Sequence, residues 1–453
     1  MRSSAVTAVL IAAFPAAAPA APAQVSGVVP VARTAGETKV ALADTELLMG
    51  RSSRRGVRLM SAPAAGGPAR TLFVRRPPPR RLLFMNDLDA STERVVFSVV
   101  DLNPATEGIA GSSVWAGPPQ GPFRPLARTR GNAWIPVDVQ ANGTDVAITE
   151  IRPVGDVARH LVHPLGAAAV RLRVPREVQR VELAGGLIAF VDDRRLTVRE
   201  WAGGAERLLY RAGGTIDDFD VAPDGRVLLR VRARQGLELV DISGSVKRLD
   251  PGPRAGNSGV LLAGDRALLR HSGRFEGDSH IGVVDLTTGQ RRRLSPSSSD
   301  LQEDVPLDAE GELVAWTANG CAFAAPLAGS GSSVVPPGPC PRAEILVEEN
   351  QPERLQGRTV RMRLRCITAP PPGCRGTVRL ELDRPFGRAP YLIPAGRRGT
   401  VRVRVTNHGL AALEREADLP PPGRSVFAGV RVTLAGGAKP RSATPHQGVV
   451  IRP

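Results

Sequence analysis

The chain has 453 residues, of which 42% are hydrophobic and 23% charged, a balance that excludes an intrinsically disordered protein. At about 150 residues per domain it allows roughly three. The net charge is +16, but only Lys39, Lys247 and Lys439 are lysines, and the arginines are scattered rather than massed in one block. With Ala, Gly and Pro also enriched, this reads as genome composition rather than a nucleic-acid-binding face.

The chain opens on MRSSAVTAVLIAAFPAAAPAAPAQV. Arg2 supplies a positive start, AVTAVLIAAF a short apolar run, and Ala21-Pro22-Ala23 a small-residue cleavage site. Residues 1–23 are expected to be a signal peptide, with a retained anchor as the alternative. No later stretch reaches the roughly 18 apolar residues a membrane helix needs, so the mature chain is expected to be secreted or held in the cell envelope.

Next comes a repeat. TELLMG begins at Thr45, ERVVFSVVDL at Glu93, TDVAITEI at Thr144, GLIAFVDD at Gly186, GRVLLRVRA at Gly225, DRALLRHS at Asp265 and GELVAWTA at Gly311. Each apolar run follows a turn, and the spacing is about 40 to 50 residues, the length of a propeller blade. A second apolar run follows in every unit, as in VRLMSAPAAGG or HIGVVDLTTG. A more polar run comes third, from ARTLFVRR in the first unit to SSVVPP in the seventh. A short run before the turn, such as IDDFDVAPDG, supplies a fourth strand. A thin sheet with two apolar faces is unstable alone and gains a core by stacking in a closed circle. Seven blades are expected, with six or eight as alternatives.

Pro223-Asp224-Gly225 forms a turn leading into an apolar strand; Asp308-Ala309-Glu310-Gly311 and Ala141-Asn142-Gly143 match it loosely. In this the units resemble WD40-like and TolB-like β-propellers, though no Trp-Asp dipeptide marks them. The propeller is assigned to residues 24–337.

A Pro/Gly/Ser-rich stretch, GSGSSVVPPGPCPR, marks a boundary, and residues 338–453 form a second module. EILVEE, TVRMRLRC, GTVRLELD, GTVRVRVT and AGVRVTLAGG read as strands, and GLAALERE as a short helix. In TVRMRLRC apolar residues and arginines alternate, so one face is buried and the other is basic. The four cysteines form an even set in a chain expected to be exported, which points to two disulfides. Of three possible pairings, proximity favours Cys321–Cys340 and Cys366–Cys374. CPRAEI, RLRCITAPPPGCRGTVRL and IPAGRRGTVRVRV resemble the Ig-like domains that close exported bacterial proteins. The resemblance implies a β-sandwich in an accessory role, with Cys366 and Cys374 facing each other across a hairpin.

Catalytic spacings are absent: there is no G-x-S-x-G, H-E-x-x-H or G-x-x-x-x-G-K-[ST]. No cofactor and no metal are expected. His160 and His163, three apart on a strand, point to opposite faces; His271 and His280 flank a loop containing Glu276 and Asp278, more simply a solvated loop than an ion site. The loops between the two apolar strands of the blades carry Arg54, Arg55, Arg58, Arg152, Arg159, Arg194, Arg195, Arg232, Arg234 and Arg274. Gathered on one rim, these guanidinium forks would suit an anionic cell-wall polymer. Asp156, Asp192, Asp193 and Asp278 share the same loops and weigh against it.

The expected fold class is therefore all-β, a propeller followed by an Ig-like sandwich. The expected function is a non-catalytic, monomeric binding or scaffold protein that partners an envelope protein or anionic polymer and not nucleic acid. The alternative is a carbohydrate-active lyase or hydrolase with carboxylates from different blades, Asp217, Asp218 and Asp220 or Glu276 and Asp278 being candidates.

Overall fold

The computed structural model describes residues 28–452 apart from 35–37, 107, 132, 153–156, 176–177, 179, 233–235, 251–258, 272–278, 296–306, 319, 329–343, 348–352, 369–371, 383, 418–425 and 435–447. The expected signal peptide and Cys340 thus lie outside the described residues.

Seven antiparallel four-stranded sheets follow one another as blades. Their inner strands are Thr38–Ala43, Leu82–Ala90, Ile135–Asn142, Val181–Ala184, Ile216–Val221, Leu261–Ala263 and Leu307–Glu310. Each inner strand contacts the next, and the last contacts the first, so the blades close into a ring of seven. The turn that opens each second strand is local chemistry. In blade 5, Gly225 sits at φ 84°, where a Cβ would be strained, and Asp224 accepts the Arg226 N–H at 3.0 Å.

The core lies between blades rather than within them. Leu48 and Leu59 of blade 1 pack against Met85 and Phe97 of blade 2, all of them buried. Val162 of blade 3 meets Phe190 of blade 4, and Leu229 of blade 5 meets Val198 of blade 4. Trp316 and Phe323 of blade 7 stack on the face of blade 6, and Val40 and Leu47 of blade 1 close on Ala315, Ala322 and Ala324 of blade 7. Burying one such side chain contributes roughly 1.5–3 kcal/mol, which no blade could gather alone. The outer strands are mostly exposed, as in Arg70–Arg75 and Arg124–Arg130.

Blade 7 departs from the sequence expectation. Its inner, second and third strands are Leu307–Glu310, Leu313–Ala318 and Cys321–Pro326, but the outer position is taken by Val29–Arg33 from the start of the chain. The run SSVVPP, expected there, lies outside the described residues. Pro30 pairs with Phe323 and Arg33 with Cys321, with a bulge between Pro30 and Ala32. A proline fits here because an outer strand needs one edge of hydrogen bonds only.

The C-terminal module has one eight-stranded sheet whose pairings run in a circuit. Thr359–Thr368 pairs with Arg398–Val405, which pairs with Pro385–Ile393, then Cys374–Glu381, Val426–Leu434, Gly448–Arg452 and Glu353–Gln356, which returns to Thr359–Thr368. Met362, Leu364, Val378, Val403 and Leu413 fill its core, Leu413 coming from the helix Asn407–Ala417. Cys366 and Cys374 are joined, with Cα atoms 5.6 Å apart. Their strands do not form the hydrogen-bonded hairpin that the resemblance implied. Among the described residues Thr359–Thr368 gives its edges to Glu344–Val347, Glu353–Gln356 and Arg398–Val405, so the disulfide and the shared core, rather than a ladder, join it to Cys374–Glu381. Cys321 is buried and also disulfide-bonded.

Candidate functional site

The inner strands line a central cavity of about 530 Å³ to which all seven blades contribute. Its lining is acidic: Asp87 and Asp89 from blade 2, Asp138 from blade 3, Glu182 from blade 4, Asp220 from blade 5, and Asp308 and Glu310 from blade 7. Lys39, Arg180 and Arg270 are the cations in the lining.

These acids are built in by one repeated device. An aspartate on an inner strand accepts an N–H from the inner strand of the next blade. Asp87 Oδ2 takes the Val139 N–H at 2.9 Å and Asp89 Oδ2 the Ala141 N–H at 2.7 Å. In blade 5, Asp218 Oδ2 takes Gly259 and Val260, and Asp220 Oδ2 takes Leu262 at 2.6 Å. Asp308 Oδ2 takes Leu42. The second oxygen often binds the next N–H in its own strand: Phe219 for Asp218, Val221 for Asp220 and Ala309 for Asp308. Inner strands have no lateral β-partner on the channel side, so their N–H groups need acceptors, and the carboxylates supply them. Gln140 does the same between blades 3 and 4, accepting from Leu183 N–H and donating to Val181 C=O. Between blades 4 and 5 the bridge is ionic: Arg180 binds both Glu182 and Asp218.

Crowding acids at the axis shifts their protonation. Burial, reinforced by Asp138, pushes the Asp87 carboxyl up to about 7. Burial pushes Asp308 to about 7 and Asp220 to about 6, against the backbone hydrogen bonds that favour ionisation. Asp89 is raised well above the usual range by burial and then by Asp308. For Arg180 the surrounding Glu182, Asp218 and Asp138 outweigh burial and hold the guanidinium more firmly protonated.

The acids singled out in the sequence fall into this scheme in part. Asp218 and Asp220 lace blade 5 to blade 6, whereas Asp217 pairs with Arg232 at 2.8 Å. Glu276 and Asp278 lie outside the described residues, as do Arg234 and Arg274. The other arginines stand at the ends of the second and third strands, opposite to the turns joining inner and second strands, and none lines the cavity. Arg54, Arg55, Arg58, Arg152, Arg194 and Arg195 are exposed. Arg159 binds Glu150 at 2.5 Å and lies 4.2 Å over the Trp134 ring. His271 and His280 are directly opposed on adjacent strands with rings stacked 4.9 Å apart. His160 is buried, hydrogen-bonded to Thr149 and Val178 C=O, and shifted down by burial. Among the described residues no group of three or more His, Cys, Asp or Glu is placed to hold a metal ion, and no helix is long and apolar enough to cross a membrane.

The acidic lining was missed in the sequence because single acids carry no signal. A clue was present: NDLDA, VDVQA, DDFDV and LDAEG all put a polar acceptor in the short run before a turn.

No family model matches the chain, nor does any curated protein sequence. Solved structures similar in fold include virginiamycin B lyase from Staphylococcus aureus, 10% identical over 65% of this chain and 97% of that one, with a TM-score of 0.44. TolB from Acinetobacter baumannii is 12% identical over 55% of this chain and 63% of its own, at 0.38. YCF48 bound to D1 peptide is 12% identical over 68% of this chain and 97% of its own, at 0.42.

Proposed function

We propose that the chain is a non-catalytic binding or scaffold propeller that works outside the cytoplasm. The observation that carries this is the occupation of the channel carboxylates. Asp218, Asp220 and Asp308 each have both oxygens engaged by backbone N–H groups, which gives them a structural task in joining neighbouring inner strands. A rigid ring laced in this way presents many loops around one fixed axis, which suits recognition. The oxidised cysteines support an oxidising compartment, as the leader-like start does. The C-terminal module, read as an Ig-like accessory domain, serves the same role.

The second reading is a carbohydrate-active enzyme. Asp87, pushed up to about 7, titrates where a general acid would. Incubating the mature chain with a panel of acidic and neutral polysaccharides separates the two. The binding reading expects retention of a ligand without new reducing ends or unsaturated ends. Release of such ends by the chain, lost in Asp87→Asn, would replace it with the enzyme reading.

A further inference from the structure

The outward face of the C-terminal module carries arginines in lateral register. Arg361 stands directly opposite Arg402. Arg404 stands opposite Arg388, and Arg388 opposite Arg379, a row that crosses three adjacent strands. The alternation of burial shows which way they point: Val360, Met362, Val401 and Val403 are buried, and Arg361, Arg388, Arg402 and Arg404 are exposed. Like charges directly opposite on a sheet are destabilising, and a threonine or serine would serve the fold better. Acids do not compensate. Across the strands Thr359–Thr368, Cys374–Glu381, Pro385–Ile393 and Arg398–Val405 the one acidic residue is Glu381. Arg361, Arg379, Arg388, Arg402 and Arg404 form no ion pair among the described residues.

We propose that this face binds a linear acidic polysaccharide, laid across the strands along the arginine row. Neighbouring strands stand about 4.8 Å apart, so the row offers a guanidinium fork at each step over roughly 10 Å. A chain of sugars with a carboxylate on each residue presents repeating oxyanions to such a row, and each fork can bind one through two hydrogen bonds. The face lacks what single-stranded nucleic acid would use. Phe386 and Tyr391, the aromatics of the strands that carry Arg379, Arg388 and Arg404, are buried, so these strands expose no ring for a base to stack on. A second copy of the same basic face would be repelled. This surface is separate from the acidic channel and does not depend on what the propeller binds.

The test is titration of the full-length chain with polygalacturonate, and with poly(dT) as the phosphodiester comparison. Polygalacturonate is expected to bind more tightly than poly(dT), with affinity falling on the order of a hundredfold between about 50 and 200 mM salt. The variant R379T/R388T/R404T is expected to lose at least tenfold in affinity while its melting temperature holds or rises. Absence of binding at low salt, tighter binding of poly(dT), or unchanged affinity in the variant would overturn the proposal. A melting temperature that falls in the variant would overturn it too, since the row would then be structural.

Discussion

Asp308 and Leu42 are 266 residues apart in sequence, and Asp308 Oδ2 accepts the Leu42 N–H at 2.6 Å. The bond joins the inner strand of the last blade to that of the first. Asp308→Ala leaves two inner-strand N–H groups, of Leu42 and Ala309, without acceptors in a half-buried site. A loss of about 1–3 kcal/mol is expected, read as a lower denaturant midpoint, with Asp308→Asn closer to the native chain.

The channel acids make stability depend on pH. Asp87 and Asp308 titrate near 7 and Asp220 near 6 in the folded chain, above the ordinary 3.8. Between these limits the folded state holds protons that the unfolded state has released, so stability falls as pH rises from about 4 to about 7. Urea midpoints across that window should decline, and less steeply in Asp87→Asn. A midpoint that climbs instead would mean that these carboxyls ionise more easily in the fold.

Arg180 joins two acids, Glu182 and Asp218, whose side chains are 10% and 6% exposed against its own 41%. Arg180→Met leaves two largely buried acids without their counter-ion, and a loss of about 1–3 kcal/mol is expected after allowance for solvent screening. Adding Asp218→Asn should recover part of it. A double variant as unstable as the sum of its parts would show that the two side chains do not act together.

Val31 is 3% exposed on the strand that completes blade 7, packed with Ala322 and Ala324. Val31→Asp buries an unpaired carboxylate at that seam. It should lower the denaturation midpoint by the equivalent of about 2–4 kcal/mol and increase proteolysis near residues 321–326.

Reduction offers a check on the second module. Opening Cys366–Cys374, eight residues apart, should destabilise that module by about 2 kcal/mol on the loop-entropy account. Non-reducing peptide mapping should find these two residues linked.

How much of this was legible depended on the range of the interaction concerned. The turn at Pro223-Asp224-Gly225 and the apolar run Val227–Val231 are specified within a dozen residues, so the blades could be read directly. The facing of His271 and His280 was readable for the same reason: they flank one short loop. The strand Val29–Arg33 gives no local hint of its place, because its partner is Cys321–Ala324. Asp218 and Asp220 looked like possible catalysts because acids in a loop-rich chain suggest chemistry. Only the neighbouring blade shows that their oxygens are taken by Gly259, Val260 and Leu262. The alternation in TVRMRLRC was plain, but the lateral alignment of Arg379 with Arg388 and of Arg388 with Arg404 needed the register of three strands.

The outer strand of blade 7 is translated long before the strand it pairs with. Val29–Arg33 leaves the ribosome well before its hydrogen-bond partner, and translation of the intervening stretch takes tens of seconds. Until Cys321–Pro326 emerges, Val29–Arg33 keeps an unpaired edge, and once it has emerged both edges stay open until they meet, so the nascent propeller is prone to aggregate through this blade. Crowded synthesis should therefore favour exchange of Val29–Arg33 between two molecules, giving intertwined dimers whose yield rises with expression level.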